Sequence, residues 1–309
     1  MKPKALVLQA YGSNRDFDVM DALTLADADP IGMPLNELRS RKTLFRDFQL
    51  LVLPGGFSYA DALGAGKLLA LDLASYFADE ITEFVESGKP VIGICNGFQA
   101  LVKAGILPGN NVIARGDGRV GGLAPSLLKH LPPYRDQAPK QSPDTWNISE
   151  QQEISLPMVA RNDICTATLT FNQRGHFECR WVIIKPISQT CIWTKDLNEI
   201  IACPIAHGEG NFQTDSSFPL SSFIAGDQIA LTYVRADGSP ANGDYPANPN
   251  GSVLDIAGIC NPRGNVLGLM PHPENHIFDY QHPRHTRGET GNSGLSLFQN
   301  GVEYASKFC

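Results

Sequence analysis

The sequence predicts an α/β fold: a mostly parallel sheet flanked by helices, with a β-rich second half. Three observations carry this expectation. The first hundred residues alternate short apolar runs with helix-patterned segments, which is how strand–helix–strand units read. The apolar runs lack a polar face, as strands covered on both sides do. After residue 165 the runs crowd together, some separated only by short polar turns such as Asp237-Gly238, so strands dominate there.

The elements follow in order. Residues 5–9 (ALVLQ) form a buried strand, and the loop 11–15 succeeds it. Apolar spacing over 17–26 predicts the first helix. The run 49–53 is the next strand and leads into the loop PGGFSY. Helices are expected over 62–77 and 79–87, the second stopped by Gly88. The strand 90–95 (PVIGIC) turns into FQALVKAGIL, a helix that ends at Pro108-Gly109. Loops at the carboxyl ends of parallel strands gather at one edge and carry function, which singles out 11–15, 54–59 and 95–97. From about 110 to 153 the pattern weakens, and HLPPYRDQAPKQSPDTW is rich in proline and polar residues. A surface insertion suits it. Strand-like runs resume at 165–171, 180–184, 199–205, 228–235 and 266–270, and 295–307 is a closing amphipathic helix. The expectation is a single domain, 1–309, with an insertion at about 110–153.

Composition removes several classes of function. A net charge of −7 argues against a broad nucleic-acid surface, which needs clustered Lys and Arg. No apolar run approaches the length of a membrane span, and ALVLQA is too short for a signal-peptide core. Seven cysteines without framework spacing imply reduced thiols and a cytoplasmic protein.

The chemistry centres on GICNGFQ, where Cys95 stands between Gly93 and Gly97. A strand turning sharply into a helix with a reactive residue at the turn is a nucleophile elbow. The helix N-terminus there favours a thiolate. A buried structural cysteine would have the same local sequence. A thiolate needs a base, and the base an orienting group. His272 follows the apolar run 266–270, with Pro271 and Pro273 on either side. In an extended segment residues two apart point the same way, so Glu274 can orient His272; His276 is the weaker alternative. Acyl transfer also needs donors for the oxyanion. The N–H of Asn96 can supply one, and a backbone N–H from the Gly55-Gly56-Phe57 loop the other, although a plain turn would also explain those glycines. A phosphate loop fails, because counting back from Gly66-Lys67 puts Asp61 at the first glycine position and Leu68 at the Ser/Thr position. A dinucleotide fingerprint fails at Leu69. No metal is expected: Cys165, Cys179, Cys191 and Cys203 contain no Cys-x-x-Cys pair, and His282 with His285 is a lone His-x-x-His. IAHGEGNF, 205–212, follows a strand and allows close backbone approach to a ligand, or is a tight turn.

PGGFSYADALGAGK, GICNGFQALVKAGILPG, PIAHGEGNF, NPNGSVLDIAGICNPRGNVLGLMPHPE and LFQNGVEYA together resemble the glutaminase component of phosphoribosylformylglycinamidine synthase, of the class I, triad-type glutamine amidotransferases. The resemblance implies a flavodoxin-like class I amidotransferase fold. It implies that Cys95 attacks the glutamine amide to form a thioester, with His272 as base and then acid and Glu274 orienting it. Gly56, Phe57 and Asn96 would line the oxyanion site, and Gln99 with the His207-Gly208 backbone would hold glutamine. Ammonia would pass to a synthetase subunit that carries ATP and Mg and makes formylglycinamidine ribonucleotide from formylglycinamide ribonucleotide in purine biosynthesis; a small accessory subunit can join them. No cofactor is expected in this chain. His176 stands where that family commonly has arginine. Two alternatives remain: an intracellular cysteine peptidase or deglycase-like protein, in which histidine typically follows the nucleophile where Asn96 stands here, and a non-catalytic flavodoxin-like interaction protein.

Overall fold

The structure is a computed structural model and describes residues 1–109, 167–214 and 220–309; the insertion expected at 110–153 lies outside them. Five parallel strands make one half of a nine-stranded sheet: β1 (Lys4–Gln9), β2 (Asp29–Pro34), β3 (Leu50–Leu53), β4 (Val91–Ile94) and, from late in the chain, β11 (Val266–Leu269). Antiparallel β6 (Glu178–Pro186), β7 (Ile201–His207), β9 (Ile229–Val234) and β10 (Ile256–Cys260) continue it. The spatial order is β2-β1-β3-β4-β11-β10-β9-β6-β7, and β5 (Ala167–Thr170) pairs separately with β8 (Asn211–Thr214). The helices are α1 (Asp16–Leu25), α2 (Leu35–Ser40), α3 (Lys67–Tyr76), α4 (Ala78–Glu86), α5 (Asn96–Lys103), α6 (Leu220–Ala225) and α7 (Leu295–Ala305).

The centre of the sheet is β3-β4-β11, whose Leu51, Val52, Ile92, Ile94, Leu267 and Leu269 are fully buried. Each such side chain contributes about 1.5–3 kcal/mol by leaving water. Helix α5 lies directly on these strands. A Cβ on Gly97 would come within 2.0 Å of the Leu53 carbonyl oxygen, so the helix can approach β3 only with glycine there.

Several elements depart from the sequence expectation. Strand β2 was not anticipated, because DPIGMP with its two prolines and glycine reads as a turn. It pairs with β1 from Lys4↔Asp29 to Gln9↔Pro34 at the edge of the sheet, where a missing N–H is tolerated. Strands β8 and β10 were also missed; β10 is short and irregular, with register shifts on either side of Gly258. Helix α3 starts at Lys67 rather than at 62, because Tyr59, Ala60, Asp61 and Leu63 all have positive φ. No described helix is long and apolar enough to cross a membrane.

Strand β7 closes the far edge of the ladder, yet it crosses the carboxyl ends of the parallel strands. The Pro204 carbonyl accepts the His272 N–H at 2.8 Å, and the Ala206 carbonyl lies 3.8 Å from Cys95 Sγ. The antiparallel wing therefore roofs the edge at which the strand-end loops collect.

Candidate active site

Cys95 sits at the turn between β4 and α5 with φ 50° and ψ −105°. That is a strained conformation for a residue with a side chain, and it persists only where the surroundings fix it. Here the Cys95 N–H donates to the Leu269 carbonyl at 2.7 Å, and the Cys95 carbonyl accepts from the Gln99 N–H at 3.0 Å. The side chain is 4% exposed and projects from the first turn of α5.

His272 follows β11, the strand beside β4. Its Nδ1 lies 2.7 Å from Glu274 Oε1, which leaves Nε2 as the ring nitrogen open toward Cys95, whose charge acts on the ring. The route differs from the sequence expectation. Residues 272–274 are not extended; Pro273–Asn275 is a 3₁₀ turn with His272 capping it. Proline suits the first position of such a turn, and the turn brings the carboxylate back beside the ring. Glu274 is wholly buried. Burial alone pulls the His272 pKa down, but the Glu274 carboxylate, the Cys95 charge and the hydrogen bonds to both outweigh it and raise the pKa to about 10. The ring is therefore an imidazolium at neutral pH.

Gly55 packs against this pair. A Cβ there would lie 2.6 Å from His272 Cε1 and 3.5 Å from Cys95 Cβ, so only glycine lets the loop after β3 close over the ring. Among the described residues the N–H groups of Gly56 and Asn96 make no hydrogen bond. The Phe57 N–H donates to the Gly12 carbonyl at 3.1 Å, which leaves Gly56 as the open N–H of the Gly56-Phe57 pair. The half-exposed Phe57 ring stacks on Phe177 with centroids 6.3 Å apart.

The loop carrying Gly56 is tied to α5. Asn96 Oδ1 accepts from the Ser58 N–H at 3.3 Å and from the Ser58 hydroxyl, while Asn96 Nδ2 donates to Asp61 Oδ1 at 2.7 Å. Gln99 is also committed. Its Oε1 accepts from Asn96 Nδ2 at 3.2 Å and its Nε2 donates to the Glu209 carbonyl at 2.6 Å. The buried Gln99 side chain thus braces the 207–210 loop. Glu209 reaches back, with Oε1 accepting from the Ala65 N–H at 3.3 Å and Oε2 3.4 Å from Lys103 Nζ.

His207 ends β7 as a buried ring with Nδ1 3.2 Å from Asn172 Oδ1. Its Nε2 has no partner among the described residues. Burial, and then the charge of His272, press its pKa down to about 3, so it is neutral. Asn172 fixes the loop: its N–H donates to the Gly208 carbonyl at 2.9 Å, its Nδ2 to the His207 carbonyl at 2.8 Å, and its Oδ1 accepts from Gly210 at 3.0 Å. His276, the alternative base, points away; Nδ1 is 2.6 Å from the Ala202 carbonyl and the ring packs on Trp181. His176 is exposed, with Nε2 3.1 Å from Glu178. Among the described residues no cluster of three or more His, Cys, Asp or Glu could hold a metal ion.

Cys95, His272, Glu274, Gly56 and Asn96 are thus brought together, with His207 and Gly208 on the roof beside them. Sequence reasoning passed over Asp61, Ser58, Glu209 and Asn172, which hold the loops. The tripeptide Gly-Glu-Gly after His207 was a readable hint for Glu209; nothing local marks Asn172.

A family model described as "CobB/CobQ-like glutamine amidotransferase domain" matches residues 2–118 and 153–305. The chain is 48% identical to the phosphoribosylformylglycinamidine synthase subunit PurQ of Treponema denticola, covering 98% of this chain and 99% of that one. It is 35% identical to the subunit of the same name from Dehalococcoides mccartyi, covering 98% of each. Among solved structures it is similar to a chain of PurLQS from Thermotoga maritima, at 27% identity and a TM-score of 0.63, covering 98% of this chain and 99% of that one.

Proposed function

The chain belongs to the CobB/CobQ-like glutamine amidotransferase family, and from that membership we infer that Cys95 is the nucleophile of its glutaminase reaction. The protein hydrolyses L-glutamine to glutamate and ammonia. It is the glutaminase subunit of phosphoribosylformylglycinamidine synthase, feeding ammonia to a synthetase that makes formylglycinamidine ribonucleotide from formylglycinamide ribonucleotide in purine biosynthesis. The peptidase-like and non-catalytic alternatives find no support among the relatives. ATP and Mg belong to the synthetase in this reading, and the assembly, with a small accessory subunit, works in the cytoplasm.

The arrangement of His272 between Glu274 and Cys95 carries the reading. The Cys95 thiolate attacks the side-chain carbonyl carbon of glutamine, and the electron pair of the C=O bond moves to oxygen. The N–H groups of Asn96 and Gly56 receive that oxyanion. As the C–N bond breaks, the His272 imidazolium gives its proton to the leaving nitrogen and ammonia departs, leaving a γ-glutamyl thioester. The neutral imidazole then takes a proton from water, whose oxygen attacks the thioester. Collapse expels the Cys95 thiolate and releases glutamate. Glu274 keeps Nε2 facing the sulfur and stabilises the imidazolium. The backbone at His207-Gly208 lies against the substrate.

Cys95→Ala is expected to lower glutamine hydrolysis by about 10³-fold or more, the scale for loss of a covalent nucleophile. A glutamine-directed electrophile should label Cys95 ahead of the other cysteines. Labelling elsewhere with Cys95 untouched would remove the assignment.

A further inference from the structure

We propose that Asp61 is a positioning residue for the oxyanion site, acting through the Asn96 side chain to hold the Gly56 N–H in register with the Asn96 N–H. The proposal rests on Cys95 being the nucleophile. One residue, Asn96, offers a backbone donor at the start of α5 and clamps the loop that carries the other donor. Its Oδ1 accepts from both the N–H and the hydroxyl of Ser58, two residues beyond Gly56.

That clamp works only if the amide faces the right way, because the opposite orientation would set an NH₂ group against the Ser58 N–H. Two acceptors set the orientation, Gln99 Oε1 at 3.2 Å from Asn96 Nδ2 and, closer, Asp61. A carboxylate only accepts, and Asp61 Oδ1 takes the Asn96 Nδ2 donor at 2.7 Å. The same oxygen accepts from Gly66 N–H at 3.4 Å, closing the loop on itself. Burial raises the Asp61 pKa, with the hydrogen bonds from Asn96 and Gly66 opposing that rise.

The loop needs such a clamp. Tyr59, Ala60, Asp61 and Leu63 hold φ between 52° and 68°, the left-handed region that costs residues with side chains. A run of this kind persists where contacts over-determine it. On the outer side, Gly12 and Tyr11 carbonyls accept from Phe57 and Tyr59 N–H groups. On the inner side Asn96 and Asp61 hold the loop, and the Tyr59 hydroxyl donates to Asp72 on α3. Without Asp61 only the longer Gln99 contact opposes a turn of the amide, the Ser58 contacts weaken, and the loop relaxes away from the position that receives the oxyanion.

The test separates chemistry that needs the oxyanion donors from chemistry that does not. Iodoacetamide alkylates a thiolate by displacement at a saturated carbon, with no oxyanion formed, whereas glutamine hydrolysis depends on one. In the assembled synthase, Asp61→Ala should lower kcat for glutamine about tenfold or more, given that losing one oxyanion donor outright costs about 10²–10³. KM for glutamine and the alkylation rate of Cys95 should stay within about twofold. Asp61→Asn keeps an acceptor oxygen and should restore most of kcat. Wild-type kcat in Asp61→Ala, alkylation falling in step with hydrolysis, or no rescue by Asp61→Asn would each overturn the proposal. If Asp61→Ala does not fold, Ser58→Ala cuts the other end of the bridge and must show the same split. Failure of the nucleophile assignment would appear separately, as hydrolysis surviving in Cys95→Ala.

Discussion

At the scale of single residues, the site turns on who holds a proton and who keeps a hydrogen bond. Two buried histidines lie near each other with opposite states. His272 has a carboxylate 2.7 Å from Nδ1 and is held protonated to about pH 10; His207 has only an amide oxygen and its neighbour's charge, and stays neutral down to about pH 3. His272→Ala is expected to cost nearly as much as loss of Cys95, about 10³-fold, and His276→Ala little. Glu274→Gln should cost less, since it makes and breaks no bond. The pH dependence carries the sign. A raised pKa keeps the imidazolium acid present below about pH 10, so kcat falls on the alkaline side as that proton is lost. Glu274→Gln removes the foremost cause of the rise, and the alkaline limb should move toward neutral pH. A profile of kcat against pH for both proteins checks this, and an unmoved limb would leave Glu274 without its role.

At the scale of elements, the site depends on how closely α5 and the loop after β3 can approach the sheet. The helix is short, and its residues 96–102 are all buried. It is therefore fixed by packing, since an isolated helix of this length is unstable in water. Gly97→Ala would press a Cβ onto the Leu53 carbonyl. Overpacking of this kind costs about 1–3 kcal/mol or more, because backbone cannot swing aside as a flexible side chain can. The thermal midpoint of Gly97→Ala should therefore fall by several degrees, and hydrolysis with it. A midpoint equal to that of the unchanged protein would show that α5 has room to move.

At the scale of the whole molecule, the chain makes ammonia that another subunit consumes. In the assembled enzyme, Cys95→Ala should abolish synthesis driven by glutamine and spare synthesis driven by added ammonium salts. Both reactions are measured with the same partner preparation. Loss of the ammonium-driven reaction despite intact assembly would mean that production and use of ammonia are not separable. Partner docking is also expected to raise hydrolysis by favouring the competent state of the oxyanion loop. A tenfold rise needs only about 1.4 kcal/mol of preference for that state.

The sequence by itself determined the buried strands β1, β3, β4 and β11, the sharp turn at Cys95 and the pairing of His272 with Glu274. Those signals are local: apolar runs mark burial, glycines mark close approach, and two residues of one short segment stay near each other however it bends. That last point is why the His272–Glu274 contact survives although the extended backbone from which it was argued is a turn. Only the tertiary structure decided which hydrogen-bonding groups remain free. The Phe57 N–H and the Gln99 amide engage distant segments, the Gly12 carbonyl and the Glu209 carbonyl 110 residues away. The roof of β7 over Cys95 and the Asp61–Asn96 clamp belong to the same class. A backbone carbonyl has no side-chain identity to mark it in a sequence, so its partner is fixed only when the sheet order brings the segments together.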